Sequence, residues 1–250
     1  MTIKTIKMTA LAAVTAGTMS AHAAELPEEL ALGGDLRVRH ESIDKEGSPT
    51  RDRQRLRARI TLDADVNDTV EAKFRLASGS EDPVSSNQSF DEGFTSKGFN
   101  LDRAYLVWSP ELAEALSTAL LGGKMKMPFT VIKDLLWDDD LNPEGFALQA
   151  GMGPLFFNAG YFVADERSKE SETRMAGAQV GGNLKIGEAK LLVGAGYYSW
   201  DAMKGYSVLV DPANSFGNSS VEDEEGLLIY AEDFGQIEGF VKLGLDLGMP

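Results

Sequence analysis

A strict alternation of polar and apolar residues limits the fold of this chain more than any other feature of its sequence. From Arg55 to Val66 the alternation runs without a break for twelve positions. The apolar positions are Leu56, Ala58, Ile60, Leu62, Ala64 and Val66, and the polar ones are Arg55, Arg57, Arg59, Thr61, Asp63 and Asp65. A period of two belongs to a β-strand, whereas a helix would spread the aliphatic residues around its axis and have no polar face. The segment is therefore predicted to be a strand with one apolar face and one basic face.

The same alternation recurs along the chain and predicts eleven strands and no long helix. These strands are expected at 34–43, 53–66, 69–77, 100–108, 117–127, 145–152, 155–163, 175–186, 189–200, 226–234 and 237–247. Long links at 44–52, 79–99, 128–143, 164–174 and 201–225 alternate with short ones. Tight turns at one end and long loops at the other are the layout of an outer-membrane barrel. The predicted fold class is all-β, an antiparallel transmembrane β-barrel.

A soluble β-sandwich also alternates along its strands and is the alternative fold. The strand at 53–66 is longer than the usual five or six residues. At about 3.3 Å per residue and a tilt of about 40°, twelve residues span roughly 30 Å, enough to cross an apolar band of about 25 Å. Aromatic residues near predicted strand ends are typical of the girdles at membrane interfaces. They are Trp108, Tyr161, Tyr197, Tyr198 and Trp200. Strand length and aromatic placement favour the membrane barrel.

The N-terminus has the three parts of a secretory signal peptide. Lys4 and Lys7 precede a short apolar stretch from Met8 to Met19, and Ala21-His22-Ala23 supplies the cleavage pattern. A buried helix or a membrane anchor is the alternative, but the apolar stretch is shorter than the ~20 residues that a spanning helix needs. The sequence therefore predicts a cleaved signal peptide at 1–23, followed by one β-barrel domain at 24–250.

Charge and composition exclude several classes of function. The whole chain carries a formal net charge of -15, and loss of the two lysines at 1–23 leaves 22 minus 39, or -17. Such an acidic surface argues against nucleic acid as a partner. The sequence contains no cysteine, which excludes disulfides and thiolate zinc sites. No cofactor and no metal site are expected.

The basic face of 53–66 is the first candidate functional surface. In a barrel the polar face meets the lumen, so Arg55, Arg57 and Arg59 are expected to line a water-filled channel. The neighbouring strands are expected to add Arg37 and Arg39 on one side and Lys73 and Arg75 on the other. Pairing of these cations with Asp63, Asp65 and Glu71, as a structural ladder between strands, remains open as the alternative.

Four stretches, in their order behind a signal peptide, resemble the Gram-negative general porins, and in particular the "putative porin" group. They are GGDLRVRHES at 33–42, RQRLRARITLDADVND at 53–68, NLDRAYLVWSP at 100–110 and GGKMKMPFTVIKDLLWDDDLNPEGFALQ at 122–149. The resemblance covers essentially all of the mature chain. It implies passive diffusion of small hydrophilic solutes and ions across the outer membrane of a Gram-negative bacterium, with outer-membrane lipid around the barrel.

The resemblance also implies that the third external loop narrows the lumen. Residues 128–143 are the third long link, so the resemblance assigns the constriction to Asp138, Asp139, Asp140 and Glu144, facing the basic wall. A solvated surface loop or a helix N-cap is the alternative for the three aspartates. Barrels of this family have an even number of strands and usually end on an aromatic residue, whereas this sequence ends at Pro250 after eleven predicted strands. Further C-terminal strands are therefore expected. Whether three copies form a homotrimer stays open.

Two rival functions have different sequence signatures. An outer-membrane hydrolase would need a base beside a nucleophile, but His40 lies in the apolar register with Leu36 and Val38, and neither HExxH nor GxSxG occurs. The chain is therefore not expected to be an enzyme. A non-conducting structural or adhesive barrel is the alternative function, and it would fill its interior with paired charges or bulky side chains. Glycines at 151, 160, 177, 181, 194 and 196 predict an open interior instead.

Overall fold

The computed structural model describes residues 27–132 and 136–245, so the signal peptide expected at 1–23 lies outside the described residues. Strand residues make up 60% of the described residues. The described part contains no α-helix and only one 3-10 turn, at Glu92–Phe94. Within those residues no helix is long and apolar enough to span a membrane. The all-β prediction is confirmed.

Thirteen strands follow one another along the described residues. They are β1 (Leu30–Ile43), β2 (Arg51–Asn67), β3 (Val70–Ser78), β4 (Gln88–Ser89), β5 (Phe99–Trp108), β6 (Ser117–Lys124), β7 (Glu144–Met152), β8 (Leu155–Asp165), β9 (Thr173–Ile186), β10 (Ala189–Asp201), β11 (Ser220–Glu222), β12 (Leu228–Tyr230) and β13 (Phe234–Leu245). Ten of the eleven predicted strands correspond to long strands of the structure, within a few residues at each end.

The chain divides into two compact units, Met1–Leu106 and Val107–Pro250. In unit 1 the strand order is β1-β2-β3-β5, with the short β4 also paired to β2. In unit 2 the order is β6-β7-β8-β9-β10-β13, and β11 and β12 form a separate two-stranded sheet. Paired neighbours such as β1 with β2 and β8 with β9 are antiparallel, as expected for hairpins. The neighbours follow one another in sequence except that β3 lies beside β5 and β10 beside β13.

Each unit exposes its apolar face and encloses its polar face, the reverse of a soluble protein. In unit 1, Leu36 is 64% exposed while Arg75 on the other face is 5% exposed. In unit 2, Phe146 and Ile237 are 71% and 88% exposed, whereas Gln179 is fully buried. Soluble monomers rarely expose contiguous apolar patches of more than a few hundred Å². An exposed apolar face along whole strands argues against the β-sandwich and fits lipid contact.

The predicted strand at 226–234 is wrong. Residues 226–233 contain only the three-residue β12, which pairs with β11. Phe234 already begins β13, which pairs directly with β10 in the register Trp200↔Phe234. The alternating apolar residues are used locally, because Tyr230 packs with Met203 and Val208 in a small core within the 202–233 link. The short link expected at Gly235-Gln236 lies inside β13.

Ten long strands thus remain, and the alternation of long and short links between them holds except at 109–116, whose eight residues exceed the seven of 44–50 and of 166–172. The long links are 44–50, 79–98, 125–143, 166–172 and 202–233, and the others are 68–69, 109–116, 153–154 and 187–188. The link at 109–116 is longer than the other turns at its end of the strands.

Candidate functional site

The predicted basic wall of unit 1 is built on the β1–β2 hairpin. Its register places Arg39 opposite Arg55 and Arg37 opposite Arg57, and these two pairs lie between Glu41↔Arg53 and Asp35↔Arg59. All eight residues lie at alternate positions, so their side chains share one face of the sheet. We call these eight residues the basic ladder. Like charges directly opposite one another repel, so the two central pairs need other groups to hold them.

The two carboxylates of the basic ladder bind most of its arginines. Asp35 accepts hydrogen bonds from Arg57 Nη2 at 2.9 Å and Arg59 Nε at 2.6 Å. Glu41 pairs with Arg39 and Arg53, and its Oε1 lies 3.9 Å from Arg55 Nη1. Six arginines against two acids leave 6 minus 2, or a formal charge of +4, on this strip. The basic ladder is therefore cross-linked by its acids but far from neutral.

The cations of β3 are paired as well. Arg75, which is nearly buried, binds Asp102 of β5, and Lys73 Nζ donates to Glu71 at 2.5 Å. Of the acids considered as pairing partners from the sequence, Glu71 forms an ion pair with Lys73, and Asp63 lies directly opposite Lys73 in the β2–β3 register. The arginines use Asp35, Glu41 and Asp102 instead, because antiparallel register brings these acids beside them.

Part of the predicted long link 79–99 also holds the arginines, a role that the sequence did not indicate. Residues 79–87, which we call the 79–87 loop, interrupt the pairing of β3 and β4 with β2. Arg37 Nη2 donates to Asn87 Oδ1 at 2.6 Å, and Arg55 Nη2 donates to the main-chain oxygen of Asn87 at 2.9 Å. Asn87 therefore bridges two cations of neighbouring strands. No sequence pattern marked it, because an asparagine in a long polar link is unremarkable.

In unit 2, the third long link folds against the polar face of the sheet. Gln179 of β9 binds the main chain of Thr130 twice, accepting from its nitrogen at 2.7 Å and donating to its oxygen at 3.0 Å. Gln149 of β7 donates to the main-chain oxygen of Pro128 at 2.7 Å. Two side chains of the sheet thus satisfy main-chain groups of the link and hold it there.

An aromatic cluster completes this attachment. The ring centroid of Tyr198 lies 4.9 Å from that of Phe129 and 5.0 Å from that of Trp137, both edge to face. Phe162 packs on the other side of Phe129 at 6.2 Å. Tyr198 is completely buried, and its hydroxyl donates to Glu238 at 2.8 Å. Trp137, which the sequence placed within an acidic stretch, is thus an apolar anchor of the link.

The predicted constriction residues lie close to this anchor. Asp138 Oδ1 accepts from the main-chain nitrogen of Asp140 at 2.7 Å, which shapes a tight turn, and Asp139 is exposed. Glu144 is the first residue of β7, and its carboxylate binds Lys124 Nζ at 2.7 Å. A cavity of about 590 Å³ lies beside the link. Its polar lining includes Lys126, Asp138, Asp139, Gln149, Asn158 and Asn183.

Aromatic rings fill the space directly over five of the six glycines that the sequence placed on the inward face of unit 2. A Cβ on Gly177 would lie 2.4 Å from the ring of Tyr198, and one on Gly181 would lie 2.3 Å from the ring of Phe156. Phe162 covers Gly160 and Phe240 covers Gly194 in the same way, and Tyr198 also covers Gly196. The missing side chains make room for aromatic rings that lie flat on the sheet. Gly151 differs, since its nearest side-chain neighbour is the hydroxyl of Ser117.

His40 lies on the apolar face of β1, as the alternation predicted. Its Nδ1 is 3.2 Å from Gln54 Nε2, and its Nε2 is 3.6 Å from a carboxylate oxygen of Asp52. These contacts hold the exposed end of the hairpin and involve no nucleophilic side chain.

Comparison with protein families decides the relationship that the motifs suggested. The model of a family described as "Putative porin" matches residues 45–222, more than two thirds of the chain. The chain belongs to this porin family. Both the basic ladder's β2 strand and the link attached to Gln179 lie within the matched region. A search of curated proteins finds no match. Membership in a porin family supports an outer-membrane, channel-type protein rather than an enzyme.

Proposed function

We propose that this porin-family protein forms a water-filled channel through which small hydrophilic solutes and ions diffuse passively across the outer membrane. The observation that carries the proposal is the inverted polarity of both units, with exposed apolar faces and enclosed polar ones. In a closed barrel the first would meet lipid and the second would meet water. The cell would be Gram-negative, and the chain would reach its membrane through a signal peptide cleaved near residue 23.

Strand length supports the membrane setting. The 17 residues of β2, at about 3.3 Å each and a tilt of about 40°, rise roughly 40 Å along the membrane normal. That exceeds the apolar band of about 25 Å, so the end of β2 that carries Arg51 and Arg53 would extend beyond the hydrocarbon. Association of three copies is compatible with this arrangement, and cross-linking of the protein in membranes would detect it.

The charge of the lumen would set the selectivity of the channel. Alternate residues of a strand are about 6.6 Å apart, which is less than the Debye length of about 8 Å at physiological ionic strength. The fields of Arg55, Arg57 and Arg59 therefore overlap, and the strip keeps its excess of positive charge. We propose a mild anion preference for this strip, and we further propose that Asp138, Asp139, Asp140 and Glu144 form the acidic constriction of the channel and favour cations.

Reversal potentials under a salt gradient test the role of the arginines. The full-length protein is incorporated into a planar bilayer and compared with the variant Arg55→Ala/Arg57→Ala/Arg59→Ala. We expect the ratio of anion to cation permeability to fall in the variant, because three lumenal charges are lost. The matched control, Arg55→Lys/Arg57→Lys/Arg59→Lys, keeps the charges and should keep the ratio. An unchanged ratio in the alanine variant would show that the arginines only hold the strands together.

A non-conducting structural or adhesive barrel is the second candidate. It is favoured by the filling of the polar face of unit 2, where aromatic rings cover five glycines, and by the pairing of the wall cations. Conductance separates the two candidates. A protein that shows the heat-modifiable gel migration of a folded barrel, yet leaves bilayers silent at every protein load, would be the structural barrel.

A further inference from the structure

The geometry of unit 1 points to a second selectivity element beside the arginines, namely the 79–87 loop, with Asn87 as the residue that positions Arg37 and Arg55. We infer that this loop holds two guanidinium groups of the basic ladder toward permeating ions and thereby sets how strongly the ladder acts on them. This inference rests on the proposed channel function, which it deepens.

The strands on either side of the 79–87 loop, β3 and β4, both pair with β2. The β2–β3 register ends at Arg59↔Ala77, and the next main-chain donor, Ala58 N, binds the side-chain oxygen of Ser78 at 2.9 Å. Pairing resumes at Leu56↔Gln88. Between these points nine residues, 79–87, leave the sheet while the partner strand advances by only a few residues. The loop is therefore an excursion from a continuous strand path.

Hydrogen bonds make this excursion a defined structure. The hydroxyl of Ser78, which is fully buried, donates to the main-chain oxygen of Ser86 at 3.0 Å, and so joins the two ends of the loop. The oxygen of Gly79 accepts from Gln88 Nε2 at 3.0 Å and from Asn100 Nδ2 at 2.8 Å. Gly79 has a φ of 147°, and a Cβ there would lie 3.1 Å from Ser86 Cα, so the tight closure requires glycine.

The closed loop presents oxygen atoms to the basic ladder. Asn87 accepts from Arg37 of β1 through its side chain and from Arg55 of β2 through its main chain. Ser85 Oγ adds a weaker contact with Arg55 at 3.4 Å. Arg37 lies opposite Arg57 and Arg55 opposite Arg39, so each of these side chains faces a like charge.

A neutral bridge has a different consequence from a carboxylate bridge. Asp35 and Glu41 hold arginines by cancelling charge, whereas the amide and main-chain oxygens of Asn87 hold them without changing the net charge of the strip. If Arg37 were released, repulsion from Arg57 would favour its movement toward Asp35, two residues away on the same face. Asn87 thus fixes the position of the Arg37 guanidinium without placing a negative charge beside it.

The test compares two substitutions that each introduce one negative charge at a position close to Arg55. Asn87→Asp puts a carboxylate of nearly the same shape between the two guanidinium groups. Gln54→Glu is the control, because Gln54 precedes Arg55 on β2 but lies on the opposite face, against His40. Both variants of the full-length protein are measured in planar bilayers by reversal potential, after heat-modifiable gel migration has shown that they fold.

We expect Asn87→Asp to lower the anion-to-cation permeability ratio at least about threefold, as one unit charge about 7 Å from an ion in a water-like medium predicts. Gln54→Glu should leave the ratio at the wild-type value. Equal ratios in Asn87→Asp and wild type would overturn the inference, and so would equal shifts in the two variants, since net charge alone would then explain them.

A second substitution keeps the inference testable if Asn87→Asp does not fold. Asn87→Ala removes only the side-chain acceptor of Arg37 and should also lower the ratio, by releasing that arginine toward Asp35. A wild-type ratio in Asn87→Ala would overturn the positioning role while leaving the channel function intact. Silent bilayers with the wild-type protein would instead overturn the channel itself, and with it this inference.

Discussion

Gly177 offers the most direct test of how the third long link is attached. Gly177 of β9 lies opposite Tyr198 of β10, and the tyrosine ring covers it. A Cβ at Gly177 would lie 2.4 Å from Tyr198 Cδ1 and 3.0 Å from Phe129 Cζ, whereas ordinary contacts begin at about 3.4 Å. The substitution Gly177→Ala therefore inserts one methyl group into space that is already occupied.

The ring has little freedom to move away. Tyr198 is packed edge to face against Phe129 and Trp137, and its hydroxyl is bound to Glu238. Overpacking of a rigid core costs about 1–3 kcal/mol, and the constraints on this ring place Gly177→Ala near the upper end, at about 2–3 kcal/mol. Displacement of Phe129 would also disturb the neighbouring Thr130, which Gln179 holds through its main chain.

Urea unfolding in detergent micelles, followed by tryptophan fluorescence, measures this cost, because Trp137 lies in the affected cluster. Gly239→Ala is the matched control: it is also a strand glycine, in β13, but a Cβ there meets no atom within 4 Å. The control should change the free energy of unfolding by less than about 0.5 kcal/mol. In a Tyr198→Ala background, Gly177→Ala should cost little more than that control. Equal stabilities of Gly177→Ala and Gly239→Ala would refute the proposed role of the ring.

Three further predictions concern charged groups. Asp102→Ala should lower the free energy of unfolding by about 3–5 kcal/mol, because Arg75, which is 5% exposed, loses its carboxylate, and a loss below about 1 kcal/mol in urea titrations would contradict this. Glu144→Gln should cost less than about 1 kcal/mol in the same assay, because that ion pair is exposed and screened. The main-chain N–H groups of Lys204 and Met203 hold the pKa of Asp233 below its ordinary value. This stabilisation is complete above the unfolded pKa of about 3.9 and is lost as the pH falls through the folded pKa. The protection of amides in the 202–233 link against hydrogen exchange, relative to their intrinsic rates at each pH, should therefore fall in acid and should already be lower at neutral pH in Asp233→Asn.

The strand pattern and the composition of each face could be predicted from the sequence. A period of two assigns every residue of a strand to one face, so the shared face of Arg55, Arg57 and Arg59 follows without knowledge of any partner strand. Consecutive strands in a hairpin layout are antiparallel neighbours, which is why Arg37 and Arg75 were expected beside this row. The same local rule failed at 226–234, because the alternating residues there are buried in a small core of their own link.

The occupants of the polar faces depend on contacts between residues far apart in the chain. From the sequence, Gly177 was expected to leave open space. Only the packing of Tyr198 and Phe129 shows that their aromatic rings fill that space. Asn87 lies fifty residues from Arg37, and its role depends on the closure of the 79–87 loop at Ser78. A strand's period determines which way a side chain points, but the group that it meets is determined by register, loop closure and packing, which involve the whole chain.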